Sequence, residues 1–414
     1  MENINSGEKF VVKFGGSSLA DHERLNKAIG SVVKEAKRGT RIAVVVSAMG
    51  KTTDVLMSTA KNTSNGKLQK HELDDILSMG ERTSVRIFSA ALRNSGVESR
   101  YFDPLDNDWP IITDALFSNA NPVLEECKTR IRENVLPLVE RGIVPVIAGF
   151  VGRTLDGKIT TLGRGGSDTT AFILAEALDA DEVVLVTDAE GIMSGDPKVV
   201  SEPRRLAEID VNMLVGLADS GAKFIHSKAL KYKPRGINVR VINSAAGDLS
   251  REGTIITGAL ATELGVNMAY PSQVAEITIL GHNIAASPEI VREMVEKAKA
   301  QATLVGMSMN TNSAILYVSE EQNIDQLFDE THKTILSHEE ALAMAIKKSL
   351  VFLKISGVGL EETHGIIGEV SEALRLNGIN ISGILTITSS ILLFVDWTER
   401  DHALKLIKDA LRKE

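Results

Sequence analysis

Residues 10–50, FVVKFGGSSLADHERLNKAIGSVVKEAKRGTRIAVVVSAMG, decide the fold class. A short apolar run ends in Lys13, Phe14 and two glycines. A helix pattern follows, HERLNKAIGSVVKEAKRG, closing at Gly39 with Lys and Arg in its last turn, where the helix macrodipole favours them. RIAVVVSAMG is then apolar at consecutive positions, as a strand covered on both faces requires. The unit reads strand, helix, strand. The alternation returns in GIVPVIAGFVG, the helix SDTTAFILAEALDA, and the strands DEVVLVTDA and INVRVINSA. Such repetition predicts an open, mostly parallel α/β sheet sandwiched by helices, with ligands at the carboxyl ends of its strands.

The chain has 414 residues, more than one hydrophobic core usually holds, so two or three domains are expected. Its composition, 43% hydrophobic and 24% charged, is that of an ordinary globular protein. The net charge of −9, from 46 Lys and Arg against 55 Asp and Glu, argues against nucleic acid as the partner. It leaves room for an anionic small molecule in a locally basic pocket. Cys127 is the only cysteine, which excludes an intrachain disulfide and a cysteine-based zinc site; it reads as a small residue on a helix. MENINSGEKF carries no apolar leader, and no apolar run approaches the roughly 20 residues of a membrane helix. A cytoplasmic protein with no membrane partner is the expectation.

Around residue 271 the texture changes. VAEITILGH, PEIVREMVEKAKAQ, TLVGMSMNT, AILYVSE and NIDQLFDETHKTI read strand, helix, strand, strand, helix. LVFLKISGVG, HGIIGEVSEALRLN, INISGILTI, SILLFVDW and DHALKLIKDALRK repeat that order at an offset of about 76 residues, with HEEALAMAIKKS between the copies. The divisions expected are 1–270, 271–345 and 346–414.

Four stretches carry chemistry. SAMGKTTD at 47–54 is not a P-loop, because Val45 stands where its first glycine belongs, and GRGGSD at 163–168 fails the dinucleotide pattern at its last position. In KFGGSS, the glycines suit close approach of backbone to a phosphate, with Lys13 supplying positive charge; a tight turn beside a solvated lysine reads equally well. TLGRGGSDTTA, 161–171, sets Arg164 in a glycine loop before Ser167 and Asp168, which are expected to cap the next helix. A capping box accounts for the serine and aspartate but leaves Arg164 unexplained; a loop binding a zwitterion uses both charges. TDAEGIMSGDPK, 187–198, reads as a loop over a ligand or as a plain surface turn. MGERTS, 79–84, follows an amphipathic helical segment and offers Glu81.

In this order, KFGGSS, Ser78 to Glu81, LGRGGSDTTA, and TDAEGI with its DP resemble the amino-acid-kinase superfamily, and specifically the aspartokinases. GAKFIHSKAL at 221–230 is similar to the aspartokinase stretch after the nucleotide loop, and the tandem repeat resembles that family's paired ACT domains. The resemblance implies a kinase domain over 1–270, followed by two ferredoxin-like α+β ACT repeats. It implies phosphorylation of the L-aspartate side chain by ATP and Mg²⁺, giving 4-phospho-L-aspartate on the route to lysine, threonine and methionine. Lys13 and Asp168 would be catalytic, Lys13 bridging acceptor carboxylate and γ-phosphate, with Gly15, Gly16 and Ser17 along the phosphates. Thr53 would touch the acceptor carboxylate, Arg164 the α-carboxylate, and Glu81 and Asp168 the ammonium, with Ser167 beside them. Thr187, Asp188, Met193, Lys198 and Lys223 match nucleotide-contacting positions, and no protein metal ligand is assigned.

The chemistry agrees with this inventory. A carboxylate acceptor has a reference pKa of about 3.9, so it needs no general base. Some positions depart from the family. Met193 replaces a common tyrosine, Lys198 an arginine and Ser17 a threonine; in the repeats, Glu289 and His364 alter the Pro–Gly turn where an effector, lysine or threonine, would bind. No terminal strand follows the last helix. Strand exchange between the copies and homodimerisation through their sheets would cover the exposed edges. Two alternatives stand beside this reading: a kinase of the same fold with another acceptor, and a sensor without catalysis.

Overall fold

The structure, a computed structural model, describes residues 7–412 except 65, 197–198, 220–224, 261–263, 321–323, 358–359, 361–364 and 388–389. The chain divides into two units, Met1–Leu260 and Ala261–Glu414. The first begins β1 (Lys9–Phe14), α1 (His22–Lys37), β2 (Arg41–Val46), α2 (Thr52–Thr63), α3 (Lys70–Asn94) and β3 (Ser99–Phe102). It continues with α4 (Leu124–Asn134), α5 (Leu136–Glu140), β4 (Val144–Ala148), β5 (Val151–Arg153), β6 (Ile159–Thr161) and α6 (Gly166–Ala177). β7 (Glu182–Thr187), β8 (Glu208–Asp210), α7 (Val211–Asp219), α8 (Ser227–Leu230), β9 (Asn238–Asn243) and β10 (Thr254–Thr257) complete it.

The main sheet runs β3-β4-β2-β1-β7-β9-β10-β8 and is parallel except between β9 and β10. β1 lies inside it, with Lys13 in register with Val45 on one side and Leu185 on the other. The consecutive apolar residues of β2, β4 and β7 are buried, as strands covered on both faces must be. α6 is buried along nearly its whole length, its apolar run 171–175 fully so. Cys127 lies buried on α4; its thiol donates to the Ile112 carbonyl and accepts from the Ile112 amide, both at 3.2 Å.

Three local expectations are corrected. GIVPVIAGFVG is two strands, because the chain turns at Gly149 and Phe150, the latter at φ 68°. α3 does not stop before MGERTS: it runs through it, so Glu81 is a mid-helix residue. Ser167 and Asp168 do not cap α6. Gly165, at φ 74°, takes the N-cap position, and both residues fall in the first turn.

The second unit comprises β11 (Gly265–Met268), β12 (Val274–Gly281), α9 (Pro288–Gln301), β13 (Leu304–Asn310), β14 (Ser313–Ser319) and α10 (Ile324–Ser337). Then come β15 (Ala341–Ser356), α11 (Ile366–Leu376), β16 (Ile381–Ile387), β17 (Ser390–Asp396) and α12 (Arg400–Leu411). Each repeat is a four-stranded antiparallel sheet backed by two helices. The first is ordered β13-β14-β12-β15 and the second β16-β17-β15-β11. HEEALAMAIKKS is therefore largely sheet: the front of β15 pairs β12 and the back pairs β17, with Ser349 at φ 56° between them. The strand missing after the last helix is supplied by β11, which precedes the first repeat. A division at 270 would cut β11 from the unit it belongs to, and one at 345 falls inside β15. The sheet faces turned from the helices meet: Tyr317 stacks on Phe394 with ring centroids 3.6 Å apart. At the altered turns, Glu289 sits in the first turn of α9 behind Pro288, while His364 lies outside the described residues.

Candidate active site

The site is built where β1, β2 and β4 end. Gly16 is forced by its neighbours: a Cβ there would lie 2.8 Å from the Ala48 carbonyl oxygen and 3.2 Å from that of Gly50. Two backbone bonds seal the contact, from Ser47 to the Phe14 carbonyl and from Gly50 to the Gly16 carbonyl. Gly16 thus serves the meeting of two loops. At Gly15 a Cβ would meet the Val186 carbonyl only at ordinary contact distance, 3.6 Å.

A cavity of about 230 Å³ gathers Lys13, Thr53, Glu81, Phe150, Gly163, Gly165, Gly166, Ser167 and Asp168. Lys13 reaches from the sheet to Asp168 on α6, Nζ to Oδ1 2.7 Å, with both side chains mostly buried. The first turn of α6 also offers its free amides and the positive end of its dipole. Ser167 accepts a hydrogen bond from the Ser47 hydroxyl at 2.9 Å. A Cβ at Gly149 would come within 2.6 Å of that same Ser167 oxygen, so the turn after β4 is wedged against α6.

Glu81 is 3% exposed. Its Oε1 accepts from the Ala48 amide at 3.0 Å, while Oε2 is buried without a hydrogen-bond partner. Burial pushes its pKa up to about 7, against the lowering by the Ala48 amide. The charge ledger of the cavity follows. Lys13 and Asp168 neutralise one another, and Glu81 is left over. Among the described lining residues Lys13 is the one cation, and it is paired with Asp168.

Of the remaining expected residues, those that are described fall outside the cavity lining. Arg164 is exposed on the glycine loop. Ser17 lies in the short helical turn Gly16–Leu19 after β1. Thr187 and Asp188 stand at the carboxyl end of β7, the threonine hydroxyl donating to Asp188 at 3.2 Å. Asn243, at the end of β9, donates to the Asp188 carbonyl at 3.3 Å and to Glu190 at 2.8 Å. Met193 pairs with Arg205 in an isolated bridge. Lys198 and Lys223 lie outside the described residues. Sequence reasoning missed Ser47, the residue after β2, and Phe150, two residues past the end of β4. The rule that ligands bind at strand carboxyl ends would have found them.

The amino acid kinase family model matches residues 8–243. The aspartokinase of Bacillus sp. (strain MGA3) is 30% identical over 411 residues, covering 97% of this chain and 96% of its own. An aspartokinase of Thermus thermophilus is 31% identical over 409 residues, covering 97% and 98%. This chain belongs to the aspartokinases of the amino acid kinase family. Among solved structures, aspartate kinase from Synechocystis superposes with a TM-score of 0.79 at 26% identity, over 97% of this chain and 69% of that one. Escherichia coli aspartokinase III, in complex with aspartate and ADP, gives 0.55 at 23% identity, over 98% and 100%, a likeness of fold. In this aspartokinase the cavity lies in the parallel-sheet unit, and the two repeats follow. Among the described residues no helix is long and apolar enough to cross a membrane.

Proposed function

We propose that this aspartokinase transfers the γ-phosphoryl group of ATP to the side-chain carboxylate of L-aspartate, giving 4-phospho-L-aspartate and ADP. The observation that carries the reading is the unpartnered Glu81 oxygen in a cavity whose other charges, Lys13 and Asp168, balance. An acceptor bearing an ammonium supplies the missing cation; a nucleoside phosphate would add only negative charge.

In this reading Glu81 and Asp168 hold the ammonium, and Arg164 folds in to take the α-carboxylate, which suits its bidentate geometry. Thr53 and Ser167 orient the side-chain carboxylate. When the ammonium engages Asp168, Lys13 is released to lie between the acceptor oxygen and the γ-phosphate. The carboxylate oxygen attacks phosphorus, the bond to the β,γ-bridging oxygen breaks, and ADP leaves; no proton moves. Catalysis is positioning and charge stabilisation. Gly15, Gly16 and Ser17 line the phosphates, with Thr187, Asp188, Met193, Lys198 and Lys223 around the nucleotide. Among the described residues no three His, Cys, Asp or Glu side chains converge. Mg²⁺ would therefore arrive on the triphosphate, its habitual ligand, and offset the charge there.

The product would feed lysine, threonine and methionine formation. The repeats would hold a regulatory amino acid, lysine or threonine, and dimerise through their sheets. A hydroxamate assay of acyl-phosphate formation tests the reading across aspartate, glutamate and acetylglutamate. Aspartate alone should react, and adding lysine or threonine should lower the rate. Turnover of acetylglutamate, which lacks the ammonium, with none of aspartate would overturn it.

A further inference from the structure

Glu35, Asp74, Asp103, Lys228 and Lys233 are buried charged residues outside the cavity, and of these Asp74 and Lys228 hold the same two segments. Asp74 is on α3, two turns before Glu81, and is fully buried. Its carboxylate accepts from the amide and hydroxyl of Ser118, at 2.7 and 3.2 Å, and from those of Thr161, at 3.0 and 2.9 Å. Lys228 is on α8 and is 7% exposed. Its ammonium donates to the backbone carbonyls of Asn119, Ala120 and Leu162, at 3.3, 3.3 and 2.8 Å, and to the Asn119 side-chain oxygen at 2.7 Å.

The acid takes donors and the base takes acceptors from the same two segments, 118–120 and 161–162. Burying either charge costs several kcal/mol unless it is fully hydrogen-bonded, and apolar residues would stabilise a core more cheaply. What the pair provides is a fixed joint. Segment 161–162 is the root of the glycine loop, which has no regular structure until α6 begins at Gly166. Asn119, gripped by Lys228, supports that loop closely enough that a Cβ on Gly163 would lie 2.6 Å from its side-chain oxygen. α8 touches the loop as well: a Cβ on Gly165 would be 2.8 Å from that of His226, its N-cap, and 3.2 Å from that of Ala229.

We propose that Asp74 and Lys228 are positioning residues for acceptor binding, locking the root of the glycine loop at a set distance from Glu81. Asp74 and Glu81 share one helix, so gripping Thr161 from Asp74 fixes the two halves of the ammonium site relative to each other. The inference deepens the function proposed above and rests on it for the identity of the acceptor.

The test uses the full chain with Asp74→Asn, Lys228→Met, Thr161→Val and Thr161→Ser. The first three should raise KM for aspartate about tenfold to hundredfold, the range expected for a displaced binding group, with KM for ATP changed less than about twofold. Thr161→Ser keeps the hydroxyl and should restore the wild-type value. Hydrogen exchange of amides 162–168 should quicken about tenfold in the same three variants, whatever the acceptor is. Should Asp74→Asn not fold, Thr161→Val decides alone. A lowered melting temperature with unchanged aspartate KM and loop exchange would reduce both charges to structural ones and overturn the proposal, as would an equal rise in both KM values. If the wild-type chain ignores aspartate, the acceptor assignment fails, while the exchange measurement still decides the joint.

Discussion

Lys13 and Glu81 carry the sharpest expectations at the scale of single residues. Lys13→Ala should lower kcat by about 10²–10³ or more, the effect of removing one preorganised charge from a developing anion. Near-normal hydroxamate formation by that variant would remove Lys13 from the chemistry. Glu81 must ionise to hold an ammonium, and its pKa stands at about 7. kcat/KM for aspartate should therefore climb through a midpoint near pH 7, while Glu81→Gln should be weak and flat; a wild-type profile already flat there refutes the role. The same group has a stability signature. Folding raises its pKa, so the native state keeps a proton that the unfolded chain has lost. Stability then falls as pH rises from 4.5 to about 7, by on the order of 3 kcal/mol. Urea unfolding should show this part of the fall in the wild type and not in Glu81→Gln.

Among the elements, α3 matters most, because it brings Glu81 under the loop after β2. Gly80 makes that approach possible: a Cβ there would lie 2.8 Å from the Ala48 Cβ. Helix propensity favours Gly80→Ala by about 1 kcal/mol. Overpacking costs about 1–3 kcal/mol, and the contact is with a short, stiff neighbour. The second effect wins. Gly80→Ala should melt lower and bind aspartate less tightly, since Ala48 also donates to Glu81; a raised melting temperature would contradict the argument. This is also why the sequence concealed the helix. A glycine in MGERTS reads as an interruption, whereas α3 needs it for contact with another segment. The same holds for Gly149, whose turn divides an apolar run into two strands.

At the level of the molecule, the second unit is woven from non-consecutive strands. β11, only four residues long, closes the second repeat by pairing Gly265–Met268 with Leu353–Ser356. A fragment starting at residue 261 should melt cooperatively as a folded unit. One starting at residue 271 loses that strand, exposes a sheet edge, and should melt lower and aggregate. Equal melting and sedimentation of the two fragments would show β11 to be dispensable.

The sequence by itself determined the alternation of strands and helices, the repeat, and the placing of charged residues among glycines. Each of these is written in local period or in residue type. It also gave Lys13, Glu81, Ser167 and Asp168 as site residues, and the cavity contains all four. The tertiary structure decided which charges meet. Lys13 and Asp168 are 155 positions apart in the chain and their ion pair has no local signal. Nothing near Asp74 or Lys228 in the sequence says that a distant loop will cover them. β11 and the front of β15 became strands only by finding partners, since short or helix-prone segments take their state from the sheet they join. The opening glycines changed meaning for the same reason. Gly16 is bare because the backbone of Ala48 and Gly50 occupies the space that a side chain would need.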